Sequence, residues 1–512
     1  MPEVFGHLGW RHAQSRGRPF TGTVLIEETP ALQSTLVSRL VYIIVAIYAI
    51  TFATLSVLAH DSFNTHAFDL GNMDQAVWNT LHGRWFQFSN WEGGTTRLAA
   101  HVEPILIAIA QLYRIYSSPS TLLVFQAIVM SLGALPAFWL ARDKLRSDFA
   151  GVVFASAYLL SPTLEAANLH DFHVVSLASS LLLFAFYFIH RRRYGLFLVF
   201  AILAMATKEQ VPISVALMGL YVALVQKRRL LGGFTTTLAV AWFIVAFFIV
   251  IPHFNPAGAS PYIGRYDQIG SSPKEIVANL FSHPGTALAN LTQPAKASYL
   301  MRVFAPVAFL SVFSITVVFV LPDLLLSLLS DFPAMYGFQA HYGAVMAPFV
   351  IISGIYGAAF LLRWCRRLFP KGGPVLLHGL SLLVLIFSLY GYYRVVFLPM
   401  SDHVPVVTDH DRLAKSFIKT LPDDAAVSAL SVLNPHVSQR QRLYLFPDVR
   451  DAEYIFLDVT STPAPIDTPS LEWRVRMMLQ DKNRGWGVLA AKDGYMLLKR
   501  GEANASIPPE FY

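Results

Sequence analysis

Five separated regions of this 512-residue sequence, the first of them in two parts, carry histidine, aspartate, lysine or glutamate in groupings that suit acid–base, metal-binding or anion-binding chemistry. The first reads His66-Ala67-Phe68-Asp69-Leu70-Gly71-Asn72-Met73-Asp74-Gln75, and His101-Val102-Glu103-Pro104 follows it. Then come Asn168-Leu169-His170-Asp171-Phe172-His173, Thr207-Lys208-Glu209-Gln210 and Pro252-His253-Phe254, with His341-Tyr342 further on. A carboxylate in a loop beside a cavity, as at Asp69, takes a proton from an attacking hydroxyl or holds a metal ion. An aspartate there also serves as a helix cap. Asp74 is expected on the following helix, turned away from Asp69, as a hydrogen-bonding or cavity-lining group. Lys208-Glu209 interrupts the otherwise apolar stretch 194–226. It reads either as a solvated turn with a local ion pair, or as a lysine for an anionic head group oriented by Glu209. His170, Asp171 and His173 are three potential ligands within four residues, and oxygen with imidazole suits Mn, Zn or Mg without diagnostic spacing. His101, Glu103 and His253 read as further polar groups at the same level.

These groups need elements that hold them together, and the composition says which. The chain is 54% hydrophobic and 14% charged, against roughly 25% charged in soluble domains. Its formal charge is +7, with the basic residues in short clusters between apolar runs, which is a membrane-topology pattern and not a nucleic-acid surface. The run 40–59 is long enough to cross a bilayer and reads as a signal anchor behind Arg11, Arg16, Arg18 and Arg39. The clusters Arg142/Lys144/Arg146, Arg191/Arg192/Arg193, Lys227/Arg228/Arg229 and Arg363/Arg366/Arg367/Lys371 are assigned to the cytoplasmic side with the N-terminus. The pattern then predicts about 11 spans and an extracytoplasmic C-terminus. Residues 300–330, with Pro306 and Pro322, read as two short or broken helices, and 101–116 as a surface segment.

The expected organisation is a cytoplasmic segment 1–38, a transmembrane domain 39–399 with outer loops 60–119 and 252–299, and an extracytoplasmic α/β domain 400–512. The last is signalled by strand-like runs Ala426–Val432 and Tyr454–Val459 and a hairpin near Lys492-Asp493-Gly494. All five polar regions then converge at the outer ends of helices. No P-loop, GxSxG or HExxH motif is present, and the cytoplasmic loops are too short for a nucleotide, which argues against an ATP-driven pump. The single Cys365 excludes an intramolecular disulfide.

In feature order the chain resembles the GT-C superfamily of membrane glycosyltransferases. Asp69 sits at the acidic position of the first outer loop. Residues 101–106 resemble the segment before the surface helix, 140–145 the end of the second span, and 204–208 the stretch ending in a donor-phosphate lysine. More closely it resembles a family of bacterial and archaeal membrane proteins of unknown function grouped with GT-C. The match runs through Phe68-Asp69-Leu70-Gly71, Asp74-Gln75, His170-Asp171-Phe172-His173, Lys208-Glu209, Asn434-Pro435-His436-Val437-Ser438-Gln439-Arg440, Tyr444-Leu445-Phe446-Pro447 and residues 494–501.

That resemblance implies a mainly α polytopic enzyme of the cell membrane. It implies transfer of a sugar from a polyprenyl-phosphate donor to a glycan, lipid or protein acceptor. It makes Asp69 the base or a metal ligand, Lys208 and Arg265 the donor-phosphate groups, and Asp74, His101, Glu103, His170, Glu209 and His253 cavity lining. Asp69 lacks an adjacent acid, so a divalent ion, Mg or Mn, would need a second acidic site in a later loop, and Asp171 with His173 is placed for it. The competing expectations are a transporter or flippase of a lipid-linked or small polar substrate, and a non-enzymatic envelope assembly factor. A transporter is disfavoured by polar groups at helix ends and not at the midplane.

Overall fold

The computed structural model describes residues 31–502 apart from 92–93, 339, 370–371, 402–403, 462 and 481–484. Arg11, Arg16, Arg18 and Lys371 of the basic pattern, and the ends of the expected segments 1–38 and 400–512, lie outside the described residues.

The molecule is mainly helical, and apolar composition decides which helices can cross a membrane. Among the described residues five have the length and apolarity: Leu36–Asp61, Pro119–Leu145, Arg229–Phe254, His341–Leu368 and Gly373–Phe397. Asp148–Leu159 and Pro162–Leu169, bent by 44° where Ser161-Pro162 breaks the ladder, make a sixth if they form one span. Val174–His190, Tyr194–Met205, Val211–Leu224 and Ile315–Leu329 are apolar but shorter. In the first helix Val41, Val45, Tyr48 and Phe52 recur at helical spacing and are buried, while Tyr42, Ile43, Ile47 and Ile50 are exposed. An apolar face left outward is what a lipid-facing helix presents. His341–Leu368 is the opposite case. Of its most apolar window 83% is buried, against 28% for the first helix, so it is the central strut.

Small residues let backbones meet at that strut. A Cβ on Gly357 would lie 1.8 Å from the Leu310 carbonyl oxygen. Residues 300–330 are two helices, Pro294–Phe304 and Leu321–Leu329, joined by short 3-10 turns in which Ala308 and Phe309 have positive φ. Polar groups support that broken stretch: Ser353 Oγ donates to Ser311 Oγ at 2.8 Å, and Ser311 Oγ to the Val350 carbonyl at 3.1 Å. Residues 101–116 hold only the short helix Leu106–Ile109 and a 3-10 turn, Ala110–Arg114.

Tracing the chain sets a polarity. The turns at 62–75, 170–173, 207–210 and 340–343 fall at one end of the helices. The turns at 146–147, 191–193 and 226–228 fall at the other, so those basic clusters share an end.

At the first end sits a sheet of five strands, β1 (Val427–Ala429), β2 (Leu443–Leu445), β3 (Tyr454–Asp458), β4 (Trp486–Lys492) and β5 (Tyr495–Arg500). Their order is β2-β1-β3-β5-β4. β1 is parallel to β2 and β3, and β3-β5 and β5-β4 are antiparallel. The β4–β5 hairpin turns at Asp493-Gly494, both with positive φ. Helix Asp409–Ile418 starts with a Thr408/Asp411 capping box. β3 is buried throughout, consistent with its central place.

The sheet domain is fastened to the helical body. Lys415 Nζ pairs with Asp61 Oδ1 at 2.7 Å. The His436 ring lies 4.1 Å from His60 and 3.8 Å from Phe63, centroid to centroid.

Candidate active site

At that same end of the helices, walled by the helix ends and the loops between them, there is a cavity of about 780 Å³, the size of a small-molecule site. Asp69 lies on its wall, in the five-residue π turn Ala67–Gly71 that leads into helix Asn72–Leu81. Single π turns recur at functional sites because they re-aim side chains. Opposite Asp69 are two rings from the 170–173 turn. His173 Nε2 is 3.0 Å from Asp69 Oδ1, and His170 Nε2 is 3.6 Å from Oδ2. His341, from the start of the central strut, stacks on His173 at 3.7 Å. One ring nitrogen from each of His170, His173 and His341 falls within 4.8 Å of the others. His341 Nδ1 is buried without a hydrogen-bond partner.

The charges follow from this packing. Burial works to raise the Asp69 carboxyl, but His173 and then His170 overcome it and hold the group well below the usual carboxylate range. Burial, with His173 beside it, holds His170 down at about 4. Three clustered imidazoles are a donor set that suits zinc more than the Mg or Mn expected from sequence. The orphaned His341 nitrogen and the close ring spacing fit such an ion.

The second wall is cationic. Lys208 is 7% exposed, and among the described residues its Nζ meets no hydrogen-bond or ion-pair partner. Burial lowers its pKa. Beside it Arg265 sits over three rings, 4.4 Å from Tyr262, 4.7 Å from Phe332 and 5.5 Å from Tyr342. Among the described residues Arg265 has no carboxylate at ion-pair distance. A third cation, Arg97, is spent internally. It pairs with Glu103 at 2.7 Å and donates to Asn72 Oδ1 at 3.0 Å. Removing such buried cations from water is costly unless an anion arrives.

Asp69, Lys208, Arg265, His101, Glu103, His170 and His173 all line the cavity. Four expected site residues do not. Glu209 stands behind the wall, holding His101 Nδ1 at 2.9 Å and the Val102 amide at 3.1 Å. Burial would raise Glu209, but His101 outweighs it and holds the carboxyl at about 2. Asp74 faces away, accepting from Ser438 Oγ at 2.6 Å, Gln439 Nε2 at 3.1 Å and the Tyr113 hydroxyl. Asp171 is turned to the His66 amide at 3.0 Å and is not among the clustered metal-ligand nitrogens, where His341 takes the place expected for it. Burial and the nearby Asp69 charge push Asp171 up to about 8. His253 is exposed and packs edge-on against Phe254, because its helix ends short of the cavity. Sequence reasoning passed over Arg97 and Tyr262, which carry no flanking motif, and gave no role to Asn72 inside the first polar stretch. His341 was visible only as a histidine before a span.

Fold and site together define a polytopic helical membrane protein with a charged, aromatic-walled cavity at one end of its helices. The chain belongs to the family described as "Predicted membrane protein (DUF2079)", whose model matches residues 59–497. No curated protein matches it. Among solved structures it is similar to ArnT from Cupriavidus metallidurans bound to undecaprenyl phosphate. The TM-score is 0.51 and the identity 12%, over 89% of this chain and 97% of that one. The apo form of ArnT gives a TM-score of 0.45 at 11% identity, over 88% of this chain and 98% of that one. At these identities the likeness is one of fold.

Proposed function

We propose that the protein is a membrane glycosyltransferase, moving a sugar from a polyprenyl-phosphate donor to an acceptor at the extracytoplasmic face. The observation that carries this reading is the pair of cations without carboxylate partners, Lys208 and Arg265, facing the Asp69–histidine cluster across one cavity. An undecaprenyl-phosphate-binding fold supports it. In this reading the helices form about 11 spans, the basic ends are cytoplasmic and the sheet domain lies outside.

The donor phosphate sits against Lys208 and Arg265, and the Trp91 ring on the cavity wall offers an apolar face to a sugar. The acceptor oxygen attacks the anomeric carbon, the bond from that carbon to the phosphate oxygen breaks, and polyprenyl phosphate leaves. Lys208 answers the charge that develops on the leaving oxygen. A carboxylate held well below its usual range is a weak base. Asp69 therefore serves as the fixed anion that orients His170 and His173, and with no ion bound the acceptor proton passes to His173. A zinc ion held by His170, His173 and His341 would instead supply Lewis-acid polarisation there.

The proposal is tested by binding of undecaprenyl phosphate to purified protein in nanodiscs. Lys208→Ala is expected to weaken binding by about tenfold or more, the worth of one charge-assisted contact. Equal binding by wild type and Lys208→Ala would remove the phosphate site. The transporter reading draws on Glu165, buried within the bent helix pair with Oε2 unpartnered. Counterflow of a lipid-linked sugar in proteoliposomes without covalent product would favour that reading.

A further inference from the structure

The turn that carries Asp69 is short of internal hydrogen bonds, as the first N–H groups of any helical turn must be. The structure fills the gaps from three directions. The His66 amide donates to Asp171 Oδ2 at 3.0 Å. The Phe68 carbonyl accepts from Asn72 Nδ2, whose Oδ1 is held by Arg97. The third direction is the sheet domain, more than 350 residues away in the chain. The Ala67 amide donates to Ser431 Oγ at 3.3 Å. Asn90 Nδ2 bridges the Ala67 carbonyl at 3.2 Å and Asn434 Oδ1 at 2.9 Å. A Cβ on Gly71 would lie 2.6 Å from that same Asn434 oxygen, so glycine is what lets the turn close onto the domain. Asn434 is itself pinned, its Nδ2 donating to the Tyr444 carbonyl at 3.3 Å. The loop continues as a clamp on the next helix, through Ser438 and Gln439 on Asp74 and through Gln75 Nε2 on the Arg440 carbonyl at 2.9 Å. Ser431, Asn434 and Asn90 are all buried.

A domain that only selected an acceptor would need contact with the cavity mouth. It would not need to satisfy the backbone of the residue next but one to Asp69. We propose that the loop Ser431–Arg440 is a working part of the site, with Ser431 and Asn434 as positioning residues that set the direction of the Asp69 carboxylate. This rests on the reading of Asp69 as the carboxylate of the site. Small misplacements of such a group reduce turnover steeply, while the donor phosphate, held by Lys208 and Arg265 on other elements, is unaffected.

The test uses full-length protein in nanodiscs carrying Ser431→Ala, Asn434→Ala, Gly71→Ala or Gly71→Ala with Asn434→Ala, and His410→Ala as a remote control in the same domain. Two quantities are read, amide exchange over residues 66–72 and sugar-transfer kinetics. Ser431→Ala, Asn434→Ala and Gly71→Ala are each expected to exchange at 66–72 about tenfold faster, with the central helix unchanged, and His410→Ala to match wild type in both quantities. The first three are each expected to lose about tenfold in kcat at nearly constant donor KM. The Gly71 and Asn434 effects should not multiply, because they act through one contact. Unchanged exchange and unchanged kcat in Ser431→Ala and Asn434→Ala would overturn the inference. So would fully multiplicative Gly71 and Asn434 effects. Ser431→Ala removes one hydroxyl and keeps the domain folded, so a misfolded Gly71→Ala does not block the answer. If wild type transfers no sugar, the function proposal fails, and the exchange data still decide whether the domain holds the turn.

Discussion

Asp69 meets two imidazoles, and a third ring stands behind them with a nitrogen that nothing satisfies. This arrangement predicts zinc binding by the purified protein, measurable by calorimetry and metal analysis. His341→Ala is expected to weaken it by about tenfold or more, as loss of one ligand does. Undiminished zinc binding in His341→Ala would remove that ligand from the site. Asp69, Lys208, His170 and His173 were legible in the sequence because charges beside apolar runs are expensive and therefore few. His341 was much less so. Its role arises from where the central strut begins relative to the 170–173 turn, which is a matter of packing. Asp74 and Glu209 illustrate the converse. Their types suited a cavity, but a neighbour on another element claimed each carboxylate: Ser438 from the sheet domain, His101 from the first long loop.

Two element contacts give predictions of their own. Gly357 lets the central helix touch the backbone at Leu310, and a methyl there meets a carbonyl that cannot move aside. Gly357→Ala should lower stability by about 1–3 kcal/mol, seen as a lower unfolding temperature in detergent. Helix Asn72–Leu81 is tied to the sheet domain through Asp74, whose carboxyl burial pushes up to about 6 from an ordinary 3.8. The unfolded chain then gives up this proton before the folded one. Stability falls as pH rises between about 4 and 6, by about 3 kcal/mol at most, and is flat above. Asp74→Asn lacks this term, so its unfolding temperature should gain on wild type across that window. A constant difference from pH 4 to 7 would show Asp74 ionised throughout. The long spans and the β4–β5 hairpin were readable from hydropathy and turn residues. The 3-10 stretch through residues 305–320 was readable only as a break, because side chains on two later helices, Ser388 on the Pro306 carbonyl and Ser353 on Ser311, and not local propensity, support it.

At the scale of the whole molecule, the basic turns share one end of the helices and the cavity and sheet domain share the other. Cys365 is the only cysteine and lies beside Arg363, Arg366 and Arg367, which makes it a natural topology probe. In intact cells it should resist a membrane-impermeant maleimide, while Glu472→Cys in a Cys365→Ser background should react. The opposite pattern would invert the orientation. Sugar transfer itself is the direct measurement, in membranes supplied with a panel of labelled polyprenyl-phosphate sugars, comparing wild type with Asp69→Asn. The proposed function predicts labelled acceptor from wild type and a loss of about a hundredfold or more in Asp69→Asn. Transfer by Asp69→Asn at the wild-type rate, or no transfer by wild type from any donor, would contradict it.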